Sequence, residues 1–264
     1  MKILYVAELV GKTGVFVFKK TLSELKKRYP YDFLIVGADG ATSGNGLGAA
    51  HAGYIHKLGA NAITLGECCF YKKDLTANID KMPYVLRPEN LNPETPGTGF
   101  KIFKTSKKGE SIAVAVLLGQ NGFTRIHANN PFTALPELLE KLKKQTQYVI
   151  IDFHAQASAE KKTFFYAADS LCSAVIGSHT RIQTADEKIM PGGTAVISDS
   201  GRTGSQMSIG GCDINSRINE YLTGIPDWTK EAWDDLELQG VYLDIDTNGK
   251  AVSIERVRVN TQKD

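Results

Sequence analysis

Six acidic or histidine side chains in this sequence follow short apolar segments, a pattern typical of an enzyme site. Ser173–Ile176 precedes His179 and Arg181, and Thr194–Ile197 precedes Asp199. The remaining positions of this kind are Glu8, Asp39, Glu67 and His154. Open α/β sheets build their sites from polar groups at the carboxyl ends of strands. Carboxylates together with imidazoles suit zinc, manganese or iron, so we predict one shared metal-ligating site.

An α/β framework is needed to place these groups, and the hydrophobic pattern predicts one. The other apolar segments that predict site-forming strands are Lys2–Ala7, Asp32–Val36, Ala62–Leu65 and Tyr148–Ile151. Helical spacing of apolar residues predicts helices over Val15–Arg28, Leu47–Leu58, Phe70–Ile79, Pro131–Lys144 and Ile214–Leu222. Because His179 and Arg181 stand two residues apart, an extended loop would aim both side chains at one point.

Two further strand pairs predict antiparallel neighbours, and therefore mixed sheets. Lys101–Thr105 and Ser111–Leu118 flank a turn at Lys107 and Lys108, and Leu238–Asp244 pairs with Ala251–Val259 around a turn at 247–250. The segment Val10–Gly14 lacks the spacing of a phosphate-binding loop. We interpret it as an ordinary turn before a helix whose N-terminus favours an anion. His51 and His56 are predicted to be surface or interface residues.

Bulk properties exclude several classes of protein. The chain has 264 residues, enough for one large α/β domain, and we predict a single domain over residues 1–264. A net charge of +2 gives no electrostatic case for binding nucleic acid or a membrane. Glu8 comes too early for a signal-peptide core. The four cysteines have no CxxC spacing, so we expect free thiols and a cytoplasmic protein.

Taken together, these motifs resemble those of the bacterial YmdB-like metallophosphoesterases, of the calcineurin-like phosphoesterase superfamily. The segments that carry the resemblance are Val10–Lys12, Ile63–Gly66, Leu86–Pro88 with Asn90, Asp152–Ala155, Gly177–Thr180, Gln183–Glu187, Pro191–Thr194 and Leu222–Pro226. The resemblance implies an α/β/β/α sandwich with mixed sheets, a two-metal site and a homo-oligomer. It also implies phosphodiesterase activity on cyclic nucleotides, hence a small phosphodiester or nucleotide ligand.

The departures from the family pattern fall in the site itself. The resemblance implies metal-ligating positions at Glu8, Asp39, Glu67, His154 and His179. The family has Asp where Glu8 stands, Glu at Asp39, Asn at Gly40, Asn at Glu67, and His at both Cys68 and Arg181. Only the two histidines of the expected ligand set are kept.

One of the two metal sites keeps groups that can bind a metal. It would use Asp39, Glu67, His154 and His179, so we predict one divalent transition metal there, iron, manganese or zinc. The second metal site would use Glu8, Asp39, Gly40 and Arg181. Because arginine cannot ligate a metal, we predict that this second metal is absent. We expect Arg181 to pair with Glu8 or Asp39 instead.

Cys68 stands at the position of the family's proton donor. A free thiol has a pKa of about 8.5, so it replaces histidine poorly in that role. Three hypotheses follow. The first is a divergent phosphodiesterase of reduced activity, and the second is a catalytically silent ligand-binding, regulatory or assembly protein. The third is a thiol hydrolase that pairs Cys68 with His154 or His179, which requires a geometry that sequence does not give. The changed site favours loss of the ancestral reaction.

Overall fold

A computed structural model describes residues 1–105, 109–227 and 230–263. Its strands are β1 (Lys2–Val6), β2 (Glu8–Leu9), β3 (Phe33–Gly37), β4 (Ala62–Thr64), β5 (Val85–Leu86), β6 (Phe100–Lys104), β7 (Ser111–Leu118), β8 (Val149–His154), β9 (Ala174–Ser178), β10 (Lys188–Ile189), β11 (Ala195–Ile197), β12 (Arg202–Ser205), β13 (Leu236–Ile245) and β14 (Ala251–Thr261). Its helices are α1 (Gly11–Arg28), α2 (Ala49–Lys57), α3 (Lys73–Thr76), α4 (Pro131–Lys143), α5 (Ser158–Ala168) and α6 (Ile214–Thr223), with a 3-10 turn at Ile79–Lys81. The turn predicted at Lys107 and Lys108 lies outside the described residues.

The strands form two mixed sheets, as predicted. The first has the order β2-β12-β13-β1-β3-β4-β5, with β14 also paired to β13. The second has the order β10-β11-β9-β8-β7-β6. Each sheet has a parallel centre, namely β1, β3, β4 and β5 in the first and β7, β8, β9 and β11 in the second. Antiparallel strands such as β13 and β6 flank these centres.

Three apolar layers show that the sheets pack face to face between helices. Alternate residues of β1 face different layers, since Ile3 and Tyr5 lie between the sheets whereas Leu4 and Val6 lie under α1. In β8, Ile150 likewise faces the first sheet and Ile151 faces the helices α4 and α5. Such strands are apolar at consecutive positions because both faces are covered. The predicted α/β/β/α sandwich is confirmed.

The segment after β1 differs from its prediction. Glu8 does not lie in a loop, since it begins β2 and pairs with Arg202 of β12. Helix α1 begins at Gly11 rather than at Val15. A Cβ atom on Gly14 would lie 2.6 Å from the carbonyl oxygen of Thr203. The glycines that indicated a turn therefore include one that lets the helix approach the sheet closely.

Two helices also differ from the sequence pattern. Most of the helix predicted over Phe70–Ile79 is absent, and only the short α3 remains, because residues 67–70 form a turn beside the candidate site. Helix α5 was not predicted, since the charged residues Glu160 and Lys161 are buried on it and obscure the apolar period. In the described part of the chain, no helix has the length and apolar character needed to cross a membrane.

Candidate metal centre

The predicted site residues meet where the carboxyl ends of the two parallel centres face each other. The first sheet supplies carboxylates from just beyond its strands, including Asp39 after β3 and Glu67 after β4. The second sheet supplies imidazoles, with His154 at the end of β8 and His179 just after β9. The donor atoms of Glu67, His154 and His179 lie within 4.8 Å of one another. The predicted convergence of these groups is therefore observed.

Glu67 links the two histidines. Its carboxylate contacts His154 Nε2 and lies 3.2 Å from His179 Nδ1, which is itself 3.2 Å from His154 Nε2. Burial lowers the pKa of His154, but the charge and hydrogen bond of Glu67 and the charges of Asp39 and Asp152 together raise that pKa to about 9. Burial likewise raises the pKa of Glu67, whereas the field of His154 holds it well below its usual range. Three donors of metal-ligating type thus face one point.

Asp39 adds a fourth donor from the floor of the site. Its Oδ2 accepts a hydrogen bond of 3.0 Å from the backbone N–H of Cys68 and lies 3.9 Å from His154 Nε2. Its Oδ1 is buried and has no hydrogen-bond partner in the described structure. Burial, together with the charge of Glu67, raises the pKa of Asp39 to about 8. An orphaned buried carboxylate oxygen is costly unless a cation or a proton occupies its lone pair.

A chain of hydrogen bonds fixes the orientation of the His154 ring. Tyr5 and Ser178 each donate to the buried carboxylate of Asp152, both at 2.6 Å. Because the Ser178 hydroxyl donates to Asp152, its oxygen accepts from His154 Nδ1 at 2.9 Å. Nε2 therefore points into the cluster and is the nitrogen that would ligate a metal ion. Sequence reasoning missed the roles of Tyr5, Asp152 and Ser178, since only the packing of distant strands brings them together.

Gly66 provides the space for this ring. A Cβ atom at position 66 would lie 2.2 Å from His154 Cε1 and Nε2. No real side chain tolerates such a contact, and the ring is held from behind by Ser178. The glycine that precedes Glu67 is therefore part of the site geometry.

Arg181 occupies the other half of the site, and of its two predicted partners, Glu8 and Asp39, it forms an ion pair with Glu8. Its Nη2 and Nε donate to Glu8 Oε1 at 2.7 and 3.0 Å, and the Glu8 side chain is only 5% exposed. Nη2 also donates to the carbonyl of Gly44, and Nη1 to that of Gly210. Burial lowers the pKa of Arg181, but Glu8 outweighs it and raises that pKa above its usual range.

Gly40 makes this ion pair sterically feasible. A Cβ atom there would lie 2.6 Å from Glu8 Oε1 and 2.7 Å from Arg181 Nη2. The ion pair thus fills the space that a side chain at position 40 would take. Glycine at position 40 and arginine at position 181 therefore depend on each other sterically.

The loop that carries His179 and Arg181 is not extended, so the sequence interpretation of this loop was wrong. His179 has φ +99° and Arg181 has φ +60°, conformations that L residues rarely adopt. Asp199 holds the loop, since its Oδ2 accepts from Thr180 N at 2.8 Å and Thr180 Oγ1 at 2.7 Å. Buried Lys161 donates to the same oxygen at 3.0 Å and to Ser178 O at 2.9 Å. Asp199 is therefore a support of the site and not one of its converging groups.

Comparison with known proteins identifies the family. The sequence profile of YmdB-like proteins matches residues 4–257. The chain belongs to the YmdB-like family. A 2',3'-cyclic-nucleotide 2'-phosphodiesterase of Bacillus subtilis is 37% identical over 261 residues, which cover 98% of this chain and 97% of the relative.

Two crystal structures share this YmdB-like fold. A structure described as a novel phosphatase of Mycoplasma pneumoniae has a TM-score of 0.90 and 31% identity, covering 98% of this chain and 93% of its own. A hypothetical protein of Thermus thermophilus has the same TM-score with 28% identity, covering 98% of this chain and 99% of its own. The family resemblance seen in the sequence motifs is confirmed.

In this YmdB-like site, the residues present fit a divalent metal ion. Asp39, Glu67, His154 and His179 supply two carboxylates and two imidazoles, a donor set that suits zinc, manganese or iron. The orphaned Oδ1 of Asp39 would gain a partner from such an ion, and the Nε2 of His154 already faces the same cluster.

Cys68 lies in the anionic part of the YmdB-like site and is 4% exposed. Burial and the charges of Asp39 and Glu67 raise the pKa of the Cys68 thiol far above its ordinary value. A nucleophilic cysteine needs the opposite, an electropositive setting that favours the thiolate. This environment argues against the thiol-hydrolase hypothesis. The cysteines of the described residues are free, as predicted.

Features outside the cluster have structural partners. His51 Nδ1 lies 2.7 Å from Thr42 Oγ1, and His56 Nδ1 lies 2.8 Å from the carbonyl of Ala60. The N-terminus of α1 does receive an anion, because Lys12 N donates to the Glu231 carboxylate at 2.9 Å. That anion is an internal side chain.

Proposed function

We propose that this YmdB-like protein is a phosphodiesterase that uses a single divalent transition metal ion, iron, manganese or zinc, and acts on small nucleotide phosphodiesters. The ion is held by Asp39, Glu67, His154 and His179. The guanidinium of Arg181 stands in the place of the family's second metal ion. The observation that carries the proposal is the Arg181–Glu8 ion pair, which lies in the space left by Gly40.

The charges of the cluster support one ion rather than two. Glu8, Asp39 and Glu67 are carboxylates, and Arg181 neutralises one of them by direct contact. The two remaining negative charges are balanced by one divalent cation when the histidines are neutral. A second divalent ion would add uncompensated positive charge next to a guanidinium that cannot lose its proton.

Arg181 keeps one donor for a substrate. A guanidinium has five N–H groups, and four of those of Arg181 are used by Glu8, Gly44 and Gly210 among the described residues. The remaining N–H, on Nη1, is available to an anionic phosphoryl oxygen. A divalent ion held by the ligand set would polarise a phosphoryl oxygen and lower the pKa of water.

The proposed substrate class rests on the relatives, and the proposed low turnover rests on the position of Cys68 as the proton donor. The Bacillus subtilis relative is named for its action on 2',3'-cyclic nucleotides, which supports the same class of substrate here. Protonation of the leaving group by a well-matched acid contributes about 10²- to 10⁴-fold to such a reaction. The raised pKa of Cys68 makes it a weak acid, so we infer turnover below that of a two-metal phosphodiesterase.

A catalytically silent ligand-binding, regulatory or assembly protein is the second candidate. It is favoured by the same two observations, the Arg181–Glu8 ion pair and the weakly acidic thiol. In that case the metal ion and the nucleotide still bind, but no bond is broken. The homo-oligomer implied by the resemblance, the single domain over residues 1–264 and the cytoplasmic location stay predictions.

Elemental analysis combined with turnover tests the proposal. We expect at most one transition metal ion per chain in the purified protein, lost in His154→Ala and in Asp39→Asn. We also expect slow, manganese-dependent hydrolysis of 2',3'-cyclic AMP that disappears in both variants. Two ions per chain, both lost in Glu8→Gln, would contradict the single-metal site. One ion without any turnover above buffer would favour the silent protein.

A further inference from the structure

One wall of the metal centre is aromatic and is built by the segment 119–130, between β7 and α4. The ring of Phe123 lies against both imidazoles, with centroid distances of 5.0 Å to His179 and 6.1 Å to His154. Two residues later, the guanidinium of Arg125 stacks on the ring of Tyr71, 4.9 Å from its centroid. The same segment therefore reaches from His154 and His179 to the ring of Tyr71.

Tyr71 belongs to the site by its backbone but faces outward. Its N–H donates to the carbonyl of Cys68 at 3.0 Å, which ties it to the turn that also carries Glu67. Its side chain is 39% exposed, and Arg125 covers part of the ring. A tyrosine and an arginine in this arrangement form a planar, partly cationic surface, which we call the Tyr71–Arg125 platform.

Buried groups fix the segment at both ends. The carboxylate of Glu160 accepts from Gln120 N at 2.8 Å and from Asn121 N at 3.4 Å. Buried Asn90 is joined to Asn129 by two hydrogen bonds of 2.7 Å. The two ends of the segment that carries Arg125 are thus fixed before any ligand binds, which lowers the entropic cost of binding.

We propose that the Tyr71–Arg125 platform stacks the base of a nucleotide whose phosphodiester lies at the metal centre. The inference rests on the proposed function, since that function places the phosphodiester between the ligand set and Arg181. A cyclic ribose phosphate bears one large planar substituent, its base. An arginine that is already stacked on an aromatic ring presents a planar face of the kind that purines and pyrimidines stack upon. Phe123 closes the site on the side of the histidines.

The platform predicts a specificity for substrates that have a base. Stacking of one base is worth about 5- to 100-fold in affinity and tolerates different bases, because every base has a π face. The protein should therefore prefer 2',3'-cyclic AMP over ribose 2,3-cyclic phosphate, which has the same cyclic phosphodiester without a base. Replacement of Tyr71 or Arg125 should remove that preference.

The test compares both compounds in the manganese-loaded full chain. We expect Tyr71→Leu and Arg125→Gln to raise the KM for 2',3'-cyclic AMP by about 5- to 100-fold, with kcat and the KM for ribose 2,3-cyclic phosphate unchanged. Tyr54→Leu is a matched control, because Tyr54 is 38% exposed on α2. Arg28→Gln is the control for Arg125, because Arg28 stacks on Tyr29 at 5.3 Å, outside the metal centre.

Three results separate this inference from the proposed function. An equal loss for both compounds would overturn the platform, because Arg125 would then serve the phosphate or the loop. An unchanged KM in both variants would overturn it as well. If the wild-type protein hydrolyses neither compound, the proposed reaction fails. Equilibrium dialysis of the same two compounds then decides the platform alone: tighter binding of 2',3'-cyclic AMP, lost in Tyr71→Leu, supports it, and equal binding overturns it.

Discussion

At the scale of single residues, Glu8, Gly40 and Arg181 are best explained together. A guanidinium beside Glu8 needs the space that a side chain at position 40 would fill. The Glu8 carboxylate, 5% exposed, in turn needs a cation, because an unpaired buried charge is strongly destabilising. Under the proposed function, Arg181 supplies by covalent attachment the positive charge that a second metal ion would bring. Such a cation does not depend on metal supply, but it cannot coordinate a substrate oxygen directly.

The first prediction concerns the strength of this ion pair. Replacement of Arg181 by Met leaves Glu8 buried without a cation, so we expect a loss of roughly 3–5 kcal/mol in the free energy of unfolding. Urea denaturation measures it. Arg256→Met is the matched control, because its ion pair with Glu187 is more exposed and is worth less than about 1 kcal/mol. A similar loss of unfolding free energy in both variants would mean that the Arg181–Glu8 ion pair stabilises the fold no more than a more exposed ion pair.

At the scale of elements, α5 and the loop after β9 act as one support. Lys161 and Asp199 form an ion pair with side chains 2% and 1% exposed, and Lys161 also binds the carbonyl of Ser178. This ion pair holds the loop backbone in which His179 and Arg181 have positive φ angles. A left-handed residue costs about 1–3 kcal/mol, which neighbouring contacts must offset. The helix that the hydrophobic pattern did not predict is therefore the one that positions the loop.

The second prediction follows for Lys161. In Lys161→Met, Asp199 loses its cation, so we expect a loss of roughly 3–5 kcal/mol in stability and a roughly 10- to 100-fold weaker affinity for the metal ion. Denaturation and metal titration of the folded variant measure the two effects. Lys162→Met is the control, since its neighbouring ion pair with Asp186 has a lysine that is 45% exposed. Unchanged metal affinity in a destabilised Lys161→Met would reduce this pair to a purely structural role.

The sequence predicts elements that are apolar on both faces and misses contacts between distant strands. Strands such as β1 and β8 were predicted because consecutive apolar residues are typical of a strand that is buried on both faces. The site residues were predicted because they follow the carboxyl ends of these strands, where open α/β sheets build their sites. Asp199 was assigned wrongly because a strand end does not tell whether a carboxylate faces the site or its own loop. The support of His154 by Asp152 and Tyr5 joins residues 147 positions apart in the chain, and no local pattern carries it.

At the scale of the whole molecule, the site is divided between the sheets. Carboxylates come from the first sheet and imidazoles from the second, so the geometry of the metal centre depends on the face-to-face packing of both. That packing is shared with two crystal structures at a TM-score of 0.90, although the sequences are only 28% and 31% identical. The departures from the family pattern that the sequence resemblance implies at positions 8, 40, 68 and 181 therefore lie in a shared framework.

The last prediction uses this framework to restore the family pattern. Arg181→His and Gly40→Asn return metal ligands to the space of the ion pair, Glu8→Asp shortens the remaining carboxylate, and Cys68→His returns a proton donor. Because residues that act as a unit are strongly non-additive, each single change should raise turnover little, and the changes at positions 40 and 181 alone should also lower stability. We expect the combined variant to bind two metal ions per chain and to hydrolyse a phosphodiester roughly 10²-fold faster or more with manganese.

The outcome of this restoration separates the two candidate functions. The combined variant with His154→Ala added is the control, and it should lose both the metal ions and the gain in rate. A combined variant that binds two ions and stays inert would place the loss in substrate access and favour the silent binding protein. A wild-type protein that already hydrolyses cyclic nucleotides as fast as the combined variant would show that Arg181 and Cys68 retune the reaction. In that case the proposed donation from Arg181 Nη1 to a phosphoryl oxygen would account for the retained reaction.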